Sequence, residues 1–240
     1  MTTSFQRARS AEQRQARRAA ILATAREMLA ELRVSELSLN ELARRSGLAK
    51  SNVLRYFESR EAILLDVYDA EYGRWLDVLE GSIAGIEPGD LESIAAALAS
   101  TAAGRPMLCE LSASAPGVLE QNLSGDVAVT YKLAASAHAV RLGAIVGTRV
   151  ELSPAARLGM AAAVNLGIGG TWAATRRSPG MAAAYDRHPA LRAFRLDFET
   201  SLREYLATIL TGLTHREPRV PATAADLEAI GRALGSVPEE

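Results

Sequence analysis

Residues 38–64 read SLNELARRSGLAKSNVLRYFESREAIL, and the punctuation of this stretch decides the fold. Ser38-Leu39-Asn40-Glu41 has the form of a capping box, in which the serine hydroxyl accepts from the Glu41 amide and the Glu41 carboxylate reaches back to the Ser38 amide. Leu39, Leu42 and Ala43 then make the apolar stripe of a short helix. Gly47 follows, where a left-handed residue ends a helix without a Cβ penalty. Leu48, Val53, Leu54 and Phe57 supply the apolar contacts that pin a second short helix across the first. Ser59 caps a third helix, with Glu61 in its first turn where negative charge suits the dipole. The pattern predicts a helix-turn-helix running into a long connecting helix.

The outward positions of the second helix are Lys50, Ser51, Asn52, Arg55 and Tyr56, which are rich in donors and free of carboxylates. Such a face suits the reading of base edges and the gripping of phosphates. An ordinary helical hairpin with a solvated polar face satisfies the same pattern. Arg44 on the first helix and a basic arm carrying Arg7 and Arg9 are further candidates for contact with a nucleic-acid backbone.

Charge is distributed in keeping with that reading. The 240 residues carry a formal net charge of −1, yet residues 1–60 hold 12 Lys/Arg against 6 Asp/Glu, leaving 15 against 22 in the remainder. A basic head on an acidic body predicts that only the head meets phosphate. The single cysteine, Cys109, excludes an internal disulfide framework and fits a reducing cytoplasm. Leu158–Thr175 lacks charge, but its four glycines and Asn165 dilute its hydrophobicity, so a buried helix is expected there rather than a membrane span.

From residue 10 to residue 215 only helical patterns are found, so the chain reads as all-α. Residues 1–9 read as disordered, and Ser10-Ala11-Glu12-Gln13 as a second capping box opening a helix to about Arg33, with Arg14, Arg17 and Arg18 on its outer side. The connecting helix runs from Ser59 to about Glu80. Asp90 caps a segment to about Ala102, and a short one covers Met107–Ser114. Longer helices span about Asp126–Arg149 and, from the Ser153-Pro154 cap, to about Thr175. Arg176–Arg187 reads as a loop or broken turn containing Pro179-Gly180, and His188-Pro189 opens a last long helix whose stripe runs from Leu191 and Phe194 to Leu213. That stripe and the Ala/Gly-rich helix before it look like half of a four-helix dimer interface, although core packing explains them as well. The expected divisions are a DNA-binding domain over 1–58, a helical ligand-binding and dimerisation domain over 59–217, and an acidic tail over 218–240.

No chemistry beyond binding is visible. His138, His188 and His215 lack metal-ligand spacing, and the chain has no GxSxG, no P-loop and no GxGxxG after a strand. Neither catalysis, a metal nor a cofactor is expected. Trp75, Met107, Cys109, Tyr131, His138, Met160, Asn165 and Trp172 are semi-polar or bulky side chains of the body that suit a ligand cavity, although each taken singly suits plain core better.

The stretch LNELARRSGLAKSNVLRYFESREAIL resembles the DNA-binding segment of TetR-family transcriptional regulators: Leu42-Ala43, Gly47-Leu48, Tyr56-Phe57, Arg60 and Leu64 fall on the family's expected positions. The resemblance covers Arg14 to about Tyr68, and the body matches in length and helical pattern. It implies a recognition helix over about Lys50–Phe57, with Ser51 and Asn52 facing bases, Tyr56 gripping a phosphate, and Arg60 where the family has a phosphate-binding lysine. It implies a homodimer on a palindromic operator, released when a small-molecule effector binds the body. Departures are Ala49 in place of a capping Ser or Thr, and Leu54-Arg55 in place of an aromatic pair. The expectation is repression relieved by an apolar or amphipathic ligand, and a ligand-sensing or interaction module that keeps the fold without operator binding is the competing one.

Overall fold

The computed structural model describes residues 2–216, 229 and 232, and only the backbone of residues 2–11. Every regular element among them is helical: α1 (Thr2–Glu31), α2 (Leu39–Arg45), α3 (Lys50–Val53), α4 (Arg60–Ile83), α5 (Leu91–Ala103), α6 (Pro106–Ser114), α7 (Gly125–Gly147), α8 (Pro154–Thr175), α9 (Pro179–Arg187) and α10 (Phe198–His215). A π turn at Ala115–Leu119 prolongs α6, and a 3-10 segment at Pro189–Phe194 precedes α10.

Side-chain caps set most of the boundaries. Ser38, Ser59, Asp90, Ser124, Ser153, Ser178 and Asp197 each accept a hydrogen bond from the amide three residues on, satisfying a donor that the helix start would otherwise orphan. The α2 terminus is closed by Gly47 at φ +66°, with Leu48 N–H on the Ala43 carbonyl and Gly47 N–H on that of Arg44. This double closure turns the chain sharply enough to start α3 across α2.

Four local expectations are corrected. α1 begins at Thr2 and runs through Ser10, because TTSFQRARSAEQ holds no Gly or Pro to stop a helix and the Ser10 box has nothing to cap. The Ser38 box is half made: its hydroxyl accepts from Glu41 N–H at 3.2 Å, but the Glu41 carboxylate turns to Arg44 and Arg45. Leu54 does not pin α3, being 42% exposed. The segment expected as a loop after Arg176 contains α9, whose Ser178 cap and Pro179 repeat the Ser153-Pro154 device, while Leu191 and Phe194 belong to the 3-10 segment and α10 starts only at its Asp197 cap. The acidic tail lies outside the described residues save Ala229 and Arg232.

One apolar core runs through the molecule. Ile21, Ala25 and Met28 of α1 meet Leu42, Val53, Phe57, Ile63 and Leu64 in the head, and the same cluster continues through Trp75, Leu76 and Leu79 of α4 into Leu98, Leu111, Val146, Val164 and Leu206 of the body. The boundary at residue 58 expected from sequence is therefore a boundary between elements rather than a gap in the core. Small residues set the approach of the body helices: a Cβ on Gly167 would meet the Tyr205 ring at 2.7 Å, and one on Gly169 the Ser112 backbone at 3.0 Å.

Gly47→Ala is expected to cost about 1 kcal/mol, because the left-handed conformation penalises any Cβ although no neighbour crowds the site. Gly47→Asn should cost less, and urea unfolding of the pair measures the difference.

Candidate functional site

The candidate face is built from α3 and its surroundings. Val53 and Phe57 point inward, which leaves Lys50, Ser51 and Asn52 of α3 and Arg55 of the turn after it exposed side by side. α3 starts at Lys50 despite the missing side-chain cap at Ala49, and after Val53 it continues as tighter turns, with Arg55 N–H on Asn52 O and Tyr56 N–H on Val53 O. Arg14 and Arg17 of α1 share an open cleft of about 710 Å³ with Arg55 and Tyr56. Three guanidiniums and a phenol therefore line one concave surface beside the exposed face of α3, a shape and charge suited to a phosphate backbone.

Two arginines expected on that surface are placed otherwise. Arg60 donates to the Leu37 carbonyl at 3.0 Å and pairs with Glu61 at 2.8 Å, its side chain only 22% exposed, so it ties the start of α4 to the loop before α2. Arg44 is exposed but held by both oxygens of Glu41, at 2.8 and 2.6 Å. These bonds with Arg44 and Arg45 pull the Glu41 carboxyl down to about 2. The side chains of Arg7 and Arg9 lie outside the described residues, and their backbone belongs to α1 rather than to an arm.

Arg18 is the connection that sequence reasoning placed on the wrong side. Its guanidinium lies over the Phe57 ring at 4.2 Å, donates to the Tyr56 carbonyl at the end of the recognition turn, and pairs with Asp66 at 2.7 Å. One side chain of α1 thus holds the end of α3 against α4. Burial raises the Asp66 carboxyl, with Arg18 opposing and Asp69 reinforcing the shift.

The eight candidate ligand residues separate into three places. Tyr131, His138 and Asn165 come together with Tyr68, Asp69 and Tyr72 around a small chamber of about 40 Å³. There His138 stacks on Tyr72 with centroids 5.0 Å apart and its Nε2 meets Asp69 at 2.8 Å. The Tyr72 hydroxyl and Asn165 Oδ1 are buried without a hydrogen-bond partner among the described residues. Burial holds the Tyr68 phenol up at about 12. Met107 and Trp172 instead line an open groove beside Leu32 and Glu110, where Glu110 accepts from Trp172 Nε1 at 3.0 Å and from Val34 N–H at 3.3 Å and also pairs with Arg176. Trp75, Cys109 and Met160 are core: Trp75 donates to Thr101 at 3.0 Å, and burial pushes the Cys109 thiol up to about 12.

A second cavity of about 270 Å³ shares Asp69 and Tyr131 with the chamber and opens between head and body. Its walls are Arg18, Tyr56, Phe57 and Glu58 from the head side, Leu65 and Asp66 from α4, and Val127 and Thr130 from α7. Glu58 also accepts from the Ser124 N–H at 2.9 Å, tying the end of the recognition segment to the start of α7. The sequence carries a signal for this seam in Asp66, Asp69 and Tyr72, polar residues at helical spacing inside an apolar stripe.

Comparison with known proteins follows this division. Residues 21–67 match the family model for bacterial regulatory proteins of the tetR family, and residues 69–217 match that for the tetracyclin repressor-like C-terminal domain. The chain belongs to the TetR family. The HTH-type transcriptional regulator EthR of Mycolicibacterium smegmatis is 42% identical over 53 residues, a match spanning 22% of this chain and 24% of that protein. Thermus thermophilus FadR, a TetR-family repressor solved with lauroyl-CoA, superposes with a TM-score of 0.54 at 19% identity, covering 86% of this chain and 100% of that one. FadR of Bacillus halodurans superposes with a TM-score of 0.51 at 14% identity, covering 83% and 97%. FadR of Bacillus subtilis with stearoyl-CoA gives 0.50 at 15% identity, covering 81% and 98%. At these identities the three structures show the fold alone. No helix among the described residues is long and apolar enough to cross a membrane.

The different placements of Arg55 and Arg60 predict different phenotypes. Arg55→Ala should lower the salt slope of DNA binding by about one while leaving stability unchanged. Arg60→Ala should leave that slope unchanged and cost about 1–2 kcal/mol of stability, read from a chemical denaturation curve beside a salt titration.

Proposed function

We propose that this TetR-family protein is a ligand-responsive repressor that binds a palindromic operator as a homodimer and releases it when a small molecule occupies the seam between head and body. The observation that carries the reading is the exposed Lys50-Ser51-Asn52-Arg55 face set beside the Arg14/Arg17 cleft. Ser51 and Asn52 read bases in the major groove, Asn52 by paired donor and acceptor on adenine. Lys50, Arg55, Tyr56, Arg14 and Arg17 hold phosphates.

The partner in the dimer is a second copy of the chain. On α8, Ala162, Leu166 and Gly170 recur at four-residue spacing on an exposed, uncharged face, with Leu166 69% exposed and nothing within 4 Å of a Cβ at Gly170. Tyr205 and Ile209 continue an apolar strip on the adjoining α10. Small residues allow two such faces to approach closely around a two-fold axis. That symmetry places two recognition helices about 34–36 Å apart, one turn of DNA.

Release then follows from linkage. Operator and effector favour different separations of the two heads, so each weakens the other by the same factor. The seam suits this role because its walls belong to α1, the end of the recognition segment, α4 and α7 at once. FadR of Thermus thermophilus and of Bacillus subtilis were solved with acyl-CoA molecules, but here Glu58, Asp66 and Asp69 line the cavity with one cation, Arg18, already paired with Asp66, a poor wall for the phosphates of such a ligand.

Selection of bound fragments from the source genome at near-physiological salt tests the operator. Wild type should recover one palindromic class of site, and Asn52→Ala should lose about 1–3 kcal/mol of discrimination at the adenine position while keeping its nonspecific affinity. Recovery of nothing above background would make the chain a fold relative without operator binding. Leu166→Arg should give a monomer by sedimentation, with operator affinity lost in step.

A further inference from the structure

The seam specifies the chemical class of its occupant, an inference that rests on the effector reading above. Charge at the cavity is one-sided: Glu58, Asp66 and Asp69 line it against the single cation Arg18. The chamber behind it is walled by the rings of Tyr68, Tyr72, Tyr131 and His138; His138 covers one face of Tyr72, and the Tyr131 ring already draws a cation, Lys132 Nζ at 5.0 Å from its centroid. Asn165 Oδ1 can only accept and the Tyr72 hydroxyl can accept as well as donate; the two interact with each other but make no well-formed hydrogen bond, so a donor entering the chamber adds a bond to either. Asp69 adds a carboxylate at the shared wall, positioned by His138 at 2.8 Å.

Size completes the description. The chamber of about 40 Å³ admits a group little larger than a water molecule, whereas the outer cavity of about 270 Å³, floored by Phe57, Leu65 and Val127, takes a compact apolar body. We propose that the seam binds an organic cation, a primary ammonium on a short apolar or aromatic body, with the ammonium among Asp69, Asn165 and Tyr72.

The same geometry couples this cation to DNA. Arg18 pairs with Asp66 while it donates to the Tyr56 carbonyl and covers Phe57, so it fixes the end of the recognition turn. An ammonium beside Asp69 brings like charge toward Arg18 and draws on Asp66, the carboxylate one turn away that holds Arg18 and interacts with Asp69. Arg18 then loosens its hold on Tyr56, and the recognition segment leaves the orientation that the operator requires. A neutral ligand of the same shape lacks this effect, and an anion is opposed by the acidic wall.

The test uses the full-length chain and three congeners of one shape: 4-phenylbutylammonium, 4-phenylbutanol and 4-phenylbutanoate. Calorimetry at neutral pH should show the cation bound at least tenfold more tightly than the alcohol, and the carboxylate bound least. The cation should also release operator DNA in a gel-shift titration. Asp69→Asn should abolish the tenfold preference and Asp69→Glu restore it, with thermal melts confirming that both variants fold. Equal or tighter binding of the alcohol or carboxylate, or a preference surviving in Asp69→Asn, overturns the cation while leaving the effector site standing if those congeners release operator. If no congener binds the wild type, the cation proposal falls. If a congener releases operator equally from wild type and from Ala135→Phe, which fills the chamber, the seam falls as the effector site too.

Discussion

The burial of a single helix, α4, along its whole length is the constraint on which the rest of the molecule depends. At 24 residues it extends about 36 Å, long enough to serve two cores in succession. Ile63, Leu64 and Val67 close the head against α1, and Trp75, Leu76, Leu79 and Ile83 close the body. Neither half can rotate freely about the other while that stripe stays buried, and α3 is tied to the same helix, because Ser59, the cap of α4, follows the turn after α3 by only a few residues.

Polar ties fasten the seam in addition to the core. Arg26 and Arg74 converge on one oxygen of the buried Glu71 at 2.6 and 2.7 Å, with Arg105 at 3.5 Å on the other oxygen, and so bind α1, α4 and the start of α6. A carboxylate that is 4% exposed and fully engaged is costly to strip of its partners, which makes this end of α1 a fixed point. Arg18–Asp66, by contrast, is half exposed on both sides and touches the cavity. The difference in burial divides α1 into an anchored C-terminal half and an N-terminal half able to respond.

Much of this was legible in the chain, because caps and punctuation act locally. Ser38, Gly47, Ser59, Asp90 and Ser153 stand where sequence reasoning put them, since a hydroxyl, a carboxylate or a left-handed glycine does its work within three or four residues. The missed α9 had the same signature in Ser178-Pro179, masked by Gly180, which reads as a turn residue although it falls inside the first turn. The start of α10 was drawn too early because Leu191 and Phe194 fit a helical spacing, whereas the Asp197 cap determines where the amides are satisfied. What could not be read was partner choice. Helical periodicity places His138, Tyr131 and Asn165 on inner faces but does not distinguish a chamber from a packed contact, and it gave Trp75 and Met160 the same standing. Arg18 and Arg60 show the same limit from the other side: an arginine near a reading helix grips phosphate or braces the scaffold according to which carbonyl lies within its reach.

The magnitudes suit a switch. A typical coupling between two sites is about 1–3 kcal/mol, and a hydrogen bond to a charged group contributes about the same. The seam is held at its outer end by a few polar contacts, Arg18 with Tyr56 and Asp66 and the Ser124 N–H with Glu58, while the core along α4 is far larger. A ligand therefore need not melt the head to weaken its grip on DNA. It needs only to take over one or two charged contacts whose loss the fold tolerates. Under the proposed dimer the effect is counted twice, once for each seam, so a modest bias in each copy would move the proposed operator equilibrium by orders of magnitude.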